Sequence, residues 1–342
     1  DQRRRGLMTA RQYSYRDAGA PPALFPSAVT PFQKLKSYLR AALVDGYGNK
    51  PPAGWTVVSE FDTAITLAPA SNCAQITFCQ HLPSSSGSSY RDFIGIYVHE
   101  GMLDISTPLP KGVNTRSRTW SADTNPTSND AHILYMGYMY WNYATYWQIC
   151  ADAETFVFCI LADRGYENTS EDYSLGLYVG QYESFSGASG VQGFIAVGGA
   201  QGYQSSASRS TNRSFGSGFS SLRDQRSGEI IQGGGAALGA QMDQMQYQSM
   251  YYDRPEGENP PYWRMQQPYV ANGANYVGRL KGVCFDPILG HYRHGHLLDR
   301  LGLPLAATSV AEAVQMDGKT YYVDMDRWGL WFLSVDPAWW PA

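Results

Sequence analysis

The first regular pattern of apolar residues in this chain has the period of an α-helix. Apolar side chains recur at spacings of three and four at Phe32, Leu35, Leu39 and Leu43. That spacing places them on one stripe of a helix. Thr30 is suited to cap its start, Pro31 falls in the first turn, where proline is tolerated, and Gly46 is suited to end it. The pattern predicts one amphipathic helix of about fifteen residues, too short to be stable unless its stripe docks on a larger body.

After this helix the apolar pattern changes to that of β-strands. Runs rich in β-branched and aromatic residues alternate with turn-forming residues, and they read WTVVSEF, AITLAP, AQITFCQHL, FIGIYVHE, YWQICADAETFVFCILAD, SLGLYVGQYESF and VQGFIAVGG. Short strands at such spacing favour an antiparallel sandwich or barrel. We therefore predict a mainly β fold, an antiparallel β-sandwich or jelly-roll-like body with one N-terminal amphipathic helix and long loops.

The pattern and the composition divide the chain into four segments. We expect an extended N-terminal arm at 1–29, a β-rich core with its leading helix at 30–200, a Gly/Ser/Gln-rich excursion at 201–268, and a closing β block at 269–342 that packs on the core. Prolines in the arm remove backbone donors and favour extended structure. The arm is predicted to lay its apolar side chains over the chain's own core or over a neighbour, and these are Leu24, Phe25 and Val29.

Two further groups of residues are interface candidates. The excursion carries adaptable side chains in a polar run that makes no core alone, and these are Met242, Met245, Tyr247, Met250, Tyr251 and Tyr252. The stretch YMYWNYATYWQ contributes Trp141 and Trp147. Large aromatic residues of this kind belong to a core, to a subunit interface or to a surface that stacks on sugars.

Composition and charge narrow the classes of partner. Charged residues make up 16% of the chain, aromatic residues 14%, and the net charge is −4. A low charge with many tyrosines suits contact with neighbouring subunits, whereas nucleic-acid binding requires a basic footprint. We expect no nucleic-acid partner. No apolar run reaches the roughly 18 residues of a membrane span, so none is predicted.

The cysteines and the N-terminal sequence bear on where the chain is made. The five cysteines are an odd number without a C-x-x-C pair, which favours free thiols formed in a reducing cytoplasm. The start of the chain lacks the apolar stretch of a signal peptide. Synthesis in a reducing cytoplasm is expected.

One cluster has the composition of a metal site. His291, His294 and His296 lie within the stretch GHYRHGHLLD, and three histidines within reach of one another suit zinc or nickel. The alternative is an exposed loop, because no second segment supplies a further ligand or an orienting partner. No arrangement of nucleophile, base or phosphate-binding loop is recognisable, so we expect no enzymatic activity and no cofactor.

Several stretches together resemble one protein family. LRAALVDGYGNKPPAGWTVV combines the end of the helix with a glycine- and proline-rich loop, RQYSYRDAGAPPA precedes it in the arm, and YWQICADAETFVFCILAD follows as a strand pair. These stretches resemble a family of tailed-bacteriophage virion structural proteins that has a helix followed by an LVDGYG.KPAAGW signature. The likeness touches most of the chain outside about 200–268. In the signature, Gly48 and Asn49 turn the chain and Trp55 anchors the first strand.

The resemblance implies a structural, non-enzymatic virion subunit. Such a protein is part of the tail, baseplate or neck, where it contacts other virion proteins and copies of itself in a symmetric ring. One alternative is a receptor- or carbohydrate-binding module at the tail tip, and another is a capsid-associated decoration protein.

Overall fold

The structure is a computed structural model. It describes residues 9–80, 93–108, 111–115, 132–135, 144–163, 173–198, 219–223, 230–231, 265–272, 275–284, 303, 309–326 and 329–341. The chain is mainly β, with antiparallel sheets and one α-helix in the described part, α1 (Pro31–Leu39), which confirms the predicted fold class. The described part contains no helix of the length and apolarity that crossing a membrane requires.

The strands in the first half of the chain are β1 (Arg11–Ser14), β2 (Thr56–Phe61), β3 (Ala64–Ala68), β4 (Gln75–Gln80), β5 (Phe93–His99), β6 (Gly101–Asp104), β7 (Lys111–Val113), β8 (His132–Tyr135), β9 (Ala144–Ala151) and β10 (Thr155–Asp163). Those in the second half are β11 (Tyr173–Gln181), β12 (Glu183–Ser184), β13 (Phe194–Gly198), β14 (Phe219–Arg223), β15 (Ile230–Ile231), β16 (Tyr269–Asn272), β17 (Asn275–Arg279), β18 (Val283–Cys284), β19 (Ala313–Met316), β20 (Lys319–Asp326) and β21 (Gly329–Leu333).

A seven-stranded sheet in the order β1-β9-β10-β11-β13-β14-β15 lies at the centre of the molecule. A five-stranded sheet in the order β2-β3-β4-β5-β8 packs on one of its faces, and the helix joins the same apolar cluster. On the opposite face lie a three-stranded sheet, β12-β17-β16, and a four-stranded sheet, β18-β21-β20-β19. The inner strands β9, β10, β11 and β13 of the central sheet are therefore covered on both faces.

The sequence of β10 follows from this arrangement. Phe156 and Phe158 enter the cluster shared with the five-stranded sheet, whereas Val157 and Cys159 enter the cluster on the other face. A strand covered on both faces requires apolar residues at every position rather than at alternate ones. The run TFVFCILAD is the result.

The helix begins and ends as its residues predict. The side chains and backbones of Thr30 and Gln33 form a reciprocal capping box, with N–O distances of 3.0 and 3.2 Å. The helix continues as a π-helix over Arg40–Asp45, and Gly46 ends it with φ +73°. The apolar stripe is buried as predicted, and its members are Phe32, Leu35, Leu39 and Leu43.

Part of the segment 201–268 belongs to the sheet. We expected this segment to leave the core at Gly202 and to return near Tyr269. Instead, Phe219–Arg223 pairs with β13 and Ile230–Ile231 pairs with β14. The segment therefore contributes two strands to one edge of the central sheet.

Candidate functional site: the arm–loop junction

The N-terminal arm and the loop after the helix interlock at one edge of the central sheet. β1 is the edge strand of that sheet and pairs with β9. The loop 46–55 follows the π-helix, and in it Tyr47 and Lys50 exchange two backbone hydrogen bonds of 3.1 and 2.8 Å. Gly48 and Asn49 therefore form the two-residue turn that the sequence predicts. We call the contact between residues 12–20 and this loop the arm–loop junction.

Asp17 is the centre of the junction. Its Oδ2 accepts hydrogen bonds from the Tyr47 hydroxyl at 2.7 Å and from the backbone N–H of Ser14 at 2.8 Å. The Lys50 ammonium lies 2.7 Å from the same oxygen and also donates to the backbone carbonyl of Gln12 at 2.7 Å. The Asp17 side chain is 19% exposed, so these charge-assisted bonds are partly shielded from water.

These contacts close the free edge of β1. In an antiparallel edge strand every second residue directs its N–H and C=O groups away from the sheet. Tyr15 donates its N–H to Trp147 of β9, so Gln12 and Ser14 face outward. The outward carbonyl of Gln12 accepts a hydrogen bond from the Lys50 ammonium, and the outward N–H of Ser14 donates to the Asp17 carboxylate and the Tyr47 hydroxyl. The edge is therefore blocked against pairing with another strand at these positions.

Two glycines allow the arm and the loop to approach each other closely. Gly48 has φ +53°, and a Cβ atom there would lie 2.4 Å from the carbonyl oxygen of Ala18. Gly19 has φ +80°, and a Cβ atom there would lie 3.2 Å from the nitrogen of Gly48. Both the left-handed backbone and the short separation exclude larger residues.

The far end of the loop is fixed to the helix and to the central sheet. The N–H of Ala53 donates to the carbonyl of Ala42, and those of Gly54 and Trp55 donate to the carbonyl of Leu43. Carbonyls at the end of a helix lack intrahelical partners, and here the returning chain supplies them. The Trp55 indole packs edge-to-face on Phe156 with centroids 5.1 Å apart, so it anchors the first strand as predicted.

The protonation states of the junction residues stabilise the contact between the arm and the loop. Burial, together with the hydrogen bond to Asp17, raises the pKa of Tyr47 above its ordinary value, and burial raises the pKa of Tyr13. Both phenols therefore stay neutral donors, and Tyr13 donates to the carbonyl of Pro51 at 2.8 Å. Lys50 uses its three N–H groups on Asp17 and on two oxygens of Gln12. The arrangement holds two segments together.

The three apolar arm residues that were predicted to be buried differ in their burial. Phe25 packs edge-to-face on Tyr38 with centroids 5.8 Å apart, so the arm covers the chain's own core there. Val29 is half-buried. Leu24 is 56% exposed, so its predicted burial does not occur within one chain.

Trp147 is a core residue and not a surface candidate. It is fully buried, stacks on Tyr38 with centroids 4.9 Å apart, and donates its indole N–H to the carbonyl of Pro21 at 3.1 Å. Its role as an interface or sugar-stacking residue was therefore wrong. Trp147 packs against Tyr38 of the helix and Pro21 of the arm. The residues next to it in the sequence do not indicate these partners.

The other candidates lie outside the described residues, and they are Trp141, Met242, Met245, Tyr247, Met250, Tyr251, Tyr252, His291, His294 and His296. The metal prediction for the three histidines therefore stays a prediction. Within the described ranges no cluster of His, Cys, Asp or Glu is arranged to hold a metal ion. All five cysteines are free, and four of them are buried.

No protein-family model, curated protein or solved structure matches this chain.

Sequence reasoning missed the charged pair of the junction, Asp17 and Lys50. A signal was present only for Lys50, which is the single charged residue within GYGNKPPAGW, whereas Asp17 directly follows Arg16. An isolated charge in such a stretch indicates a specific partner, but the sequence does not show which one.

Proposed function

We propose that this chain is a structural, non-enzymatic subunit of a tailed-bacteriophage virion. Its place is the tail, the baseplate or the neck, where it joins other virion proteins and copies of itself in a symmetric ring. It is made in the cytoplasm of the host bacterium and acts in the particle.

The arm–loop junction is the observation that supports this proposal. Two of the stretches that resemble the virion family, RQYSYRDAGAPPA and LRAALVDGYGNKPPAGWTVV, are separate in the sequence. In the fold they bind one another through Asp17, Tyr47 and Lys50. The third stretch, YWQICADAETFVFCILAD, forms β9 and β10 beside them and pairs with the arm. The resemblance therefore corresponds to one folded unit and not to three unrelated segments.

The junction also suits an assembling subunit physically. Unpaired edge strands join chains indiscriminately, and the junction blocks the outward groups of the arm strand. Contacts between copies are then left to side-chain surfaces. The described residues include exposed large aliphatic side chains on the arm and on the β6–β7 hairpin that suit this role, and they are Leu24, Leu103 and Ile105.

Quantitative mass spectrometry of purified particles tests the proposal. Tailed particles from the organism that carries this sequence would be banded on a density gradient, and peptides of the chain would be measured against isotope-labelled standards. The expected result is a fixed copy number per particle, equal to a multiple of the ring symmetry. Absence of the chain from banded particles, or a copy number that varies between preparations, would overturn the proposal.

A further inference from the structure

The three-stranded sheet β12-β17-β16 has one buried face and one open face. Val270 and Leu280 enter the apolar cluster on the central sheet, and Gly278 lies so close to the ring of Tyr182 that a Cβ atom would be 2.5 Å from it. The opposite side carries a group of larger side chains, which we call the open face, formed by Glu183, Phe185, Tyr269, Tyr276 and Arg279.

A β-bulge gives the open face its composition. Tyr269 is opposite Arg279 and Val270 is opposite Gly278, but Ala271 is opposite Tyr276. Val277 therefore has no partner in the register. The extra residue turns Tyr276 to the side of Tyr269 and Arg279, although it is three positions from Arg279 in the chain. Bulges of this kind re-aim side chains near functional sites.

The aromatic rings and the guanidinium are in direct contact. Phe185 and Tyr269 pack edge-to-face with centroids 6.2 Å apart, and Tyr276 lies 5.0 Å from Tyr269. The guanidinium of Arg279 lies over Phe185 at 5.3 Å and over Tyr269 at 6.0 Å. The rings hold the guanidinium by cation–π attraction. Even so, Phe185 and Tyr276 are each 48% exposed.

Arg279 has one donor, its Nε–H, without a hydrogen-bond acceptor among the described residues. This Nε–H is buried, and the nearest carboxylate oxygen, Oε2 of Glu183, is 4.0 Å away. The Arg279 side chain is 43% exposed. Because the Nε–H faces Glu183, the exposed part of the guanidinium, framed by rings, is the part that can pair with an incoming carboxylate.

The size of the open face favours a small ligand over a protein partner. Three strands span about 10 Å and four residues about 13 Å, so its described part covers about 130 Å² of sheet. A specific protein interface buries about 800 Å² on each partner. A protein interface of that size would extend well beyond the five side chains of the open face, whereas a ligand of one to three sugar rings could be held by those side chains alone.

We propose that the open face binds a saccharide that bears a carboxylate, such as a glycan with a uronic or sialic acid. The negative faces of the exposed rings attract the C–H edges of a sugar ring. Arg279 pairs with the sugar carboxylate, while Glu183 and the tyrosine hydroxyls bind the sugar hydroxyls. This inference does not rest on the virion role, and its failure would leave that role untouched.

A glycan array with matched acidic and neutral members tests the proposal on the full chain. We expect acidic glycans to bind and their neutral counterparts to bind at least about tenfold more weakly, since a charge-assisted hydrogen bond is lost. Isothermal titration with the best acidic glycan would follow. Arg279→Gln should lower affinity about tenfold or more, and Tyr276→Ser should also lower it.

Matched controls separate binding from folding. Leu103→Ser removes an equally exposed apolar side chain elsewhere and should leave affinity unchanged, and thermal melting of each variant would verify its fold. Three results would overturn the proposal: no glycan bound, equal binding of acidic and neutral members, or affinity unaffected by Arg279→Gln. Sedimentation velocity adds a fourth, because a dimer that Arg279→Gln dissociates would assign the open face to a second copy.

Discussion

The carboxylate of Asp17 lies 2.7 Å from the hydroxyl of Tyr47, across thirty residues of sequence. This bond joins the N-terminal arm to the loop that follows α1 and its π-helical continuation. It also places a negative charge beside Lys50, and that lysine reaches back to the edge strand. Residues 11–20 of the arm are thus part of the folded body.

Asp17→Asn tests the charge at the junction. The variant keeps the shape of the side chain but removes the charge that binds Lys50. We expect a loss of about 1–3 kcal/mol in the free energy of unfolding, the range for hydrogen bonds to charged groups. Urea unfolding would measure it. Asp62→Asn, at an exposed carboxylate in the turn between β2 and β3, is the control and should cost less than about 0.5 kcal/mol. Equal losses in the two variants would contradict the role given to Asp17.

Gly48→Ala tests the close approach of arm and loop. A left-handed backbone conformation costs an L-residue about 1–2 kcal/mol, and here the new methyl group would also collide with the carbonyl of Ala18. Gly187→Ala is a matched control, because Gly187 has φ +76° but no atom within 4 Å of the added Cβ. We expect Gly48→Ala to destabilise clearly more than Gly187→Ala in urea unfolding. Similar losses of stability in the two variants would contradict a tight contact between Gly48 and Ala18.

Leu39→Ala tests the docking of the helix on the sandwich. Leu39 is fully buried in the cluster shared by the two largest sheets. Truncating such a side chain costs about 2–5 kcal/mol. Leu103→Ala, at a leucine that is 56% exposed, should cost less than about 0.5 kcal/mol. Chemical denaturation of both variants would measure the losses in the free energy of unfolding. A small loss for Leu39→Ala would contradict the packing of the helix in the core.

Because His99 is buried, we expect the stability of the folded chain to depend on pH. Its imidazole is buried between the hydroxyls of Thr77 at 3.1 Å and Thr115 at 2.9 Å. The hydroxyl of Thr115 can also donate to the carbonyl of Gly112, which lies 3.3 Å away. Both ring nitrogens are thus occupied in the neutral form. Desolvation lowers the pKa of His99 to about 4.

Whether low pH stabilises or destabilises the fold depends on the protonation of His99 in the folded and the unfolded chain. Above about pH 6.5 the histidine is neutral in both the folded and the unfolded chain. As the pH falls from there to about 4, only the unfolded chain binds the proton, so the folded state loses about 3 kcal/mol of stability. Urea unfolding across this range should show His99→Gln with the shallower pH dependence. An unchanged pH dependence in the variant would contradict the buried, neutral state.

The parts of the fold that local sequence encodes were predictable. The helix has its own cap at Thr30 and a regular stripe, and both act within a few residues. The β body follows from runs of β-branched and aromatic residues, because the identity of a strand depends mainly on its own pattern. Trp147 shows the limit: the stretch around it allows burial and exposure equally, and its place is decided by Tyr38 on the helix and Pro21 in the arm.

The contacts that define the two candidate sites depend on register and long-range pairing. Asp17 and Lys50 come together only because the arm pairs with β9 and the loop folds back on the helix. On the open face, Tyr276 joins Arg279 because a single extra residue interrupts the ladder. No periodicity in the sequence announces such a bulge.

Cryo-electron microscopy of the intact tailed particles tests the central claim most directly. If the chain is a virion subunit, symmetric averaging should reveal a ring of density into which the sandwich fits. Each copy should keep its arm on its own β9 edge, with the side chains of Asp17, Tyr47 and Lys50 in contact. A particle map in which every ring is accounted for by other proteins would contradict the account.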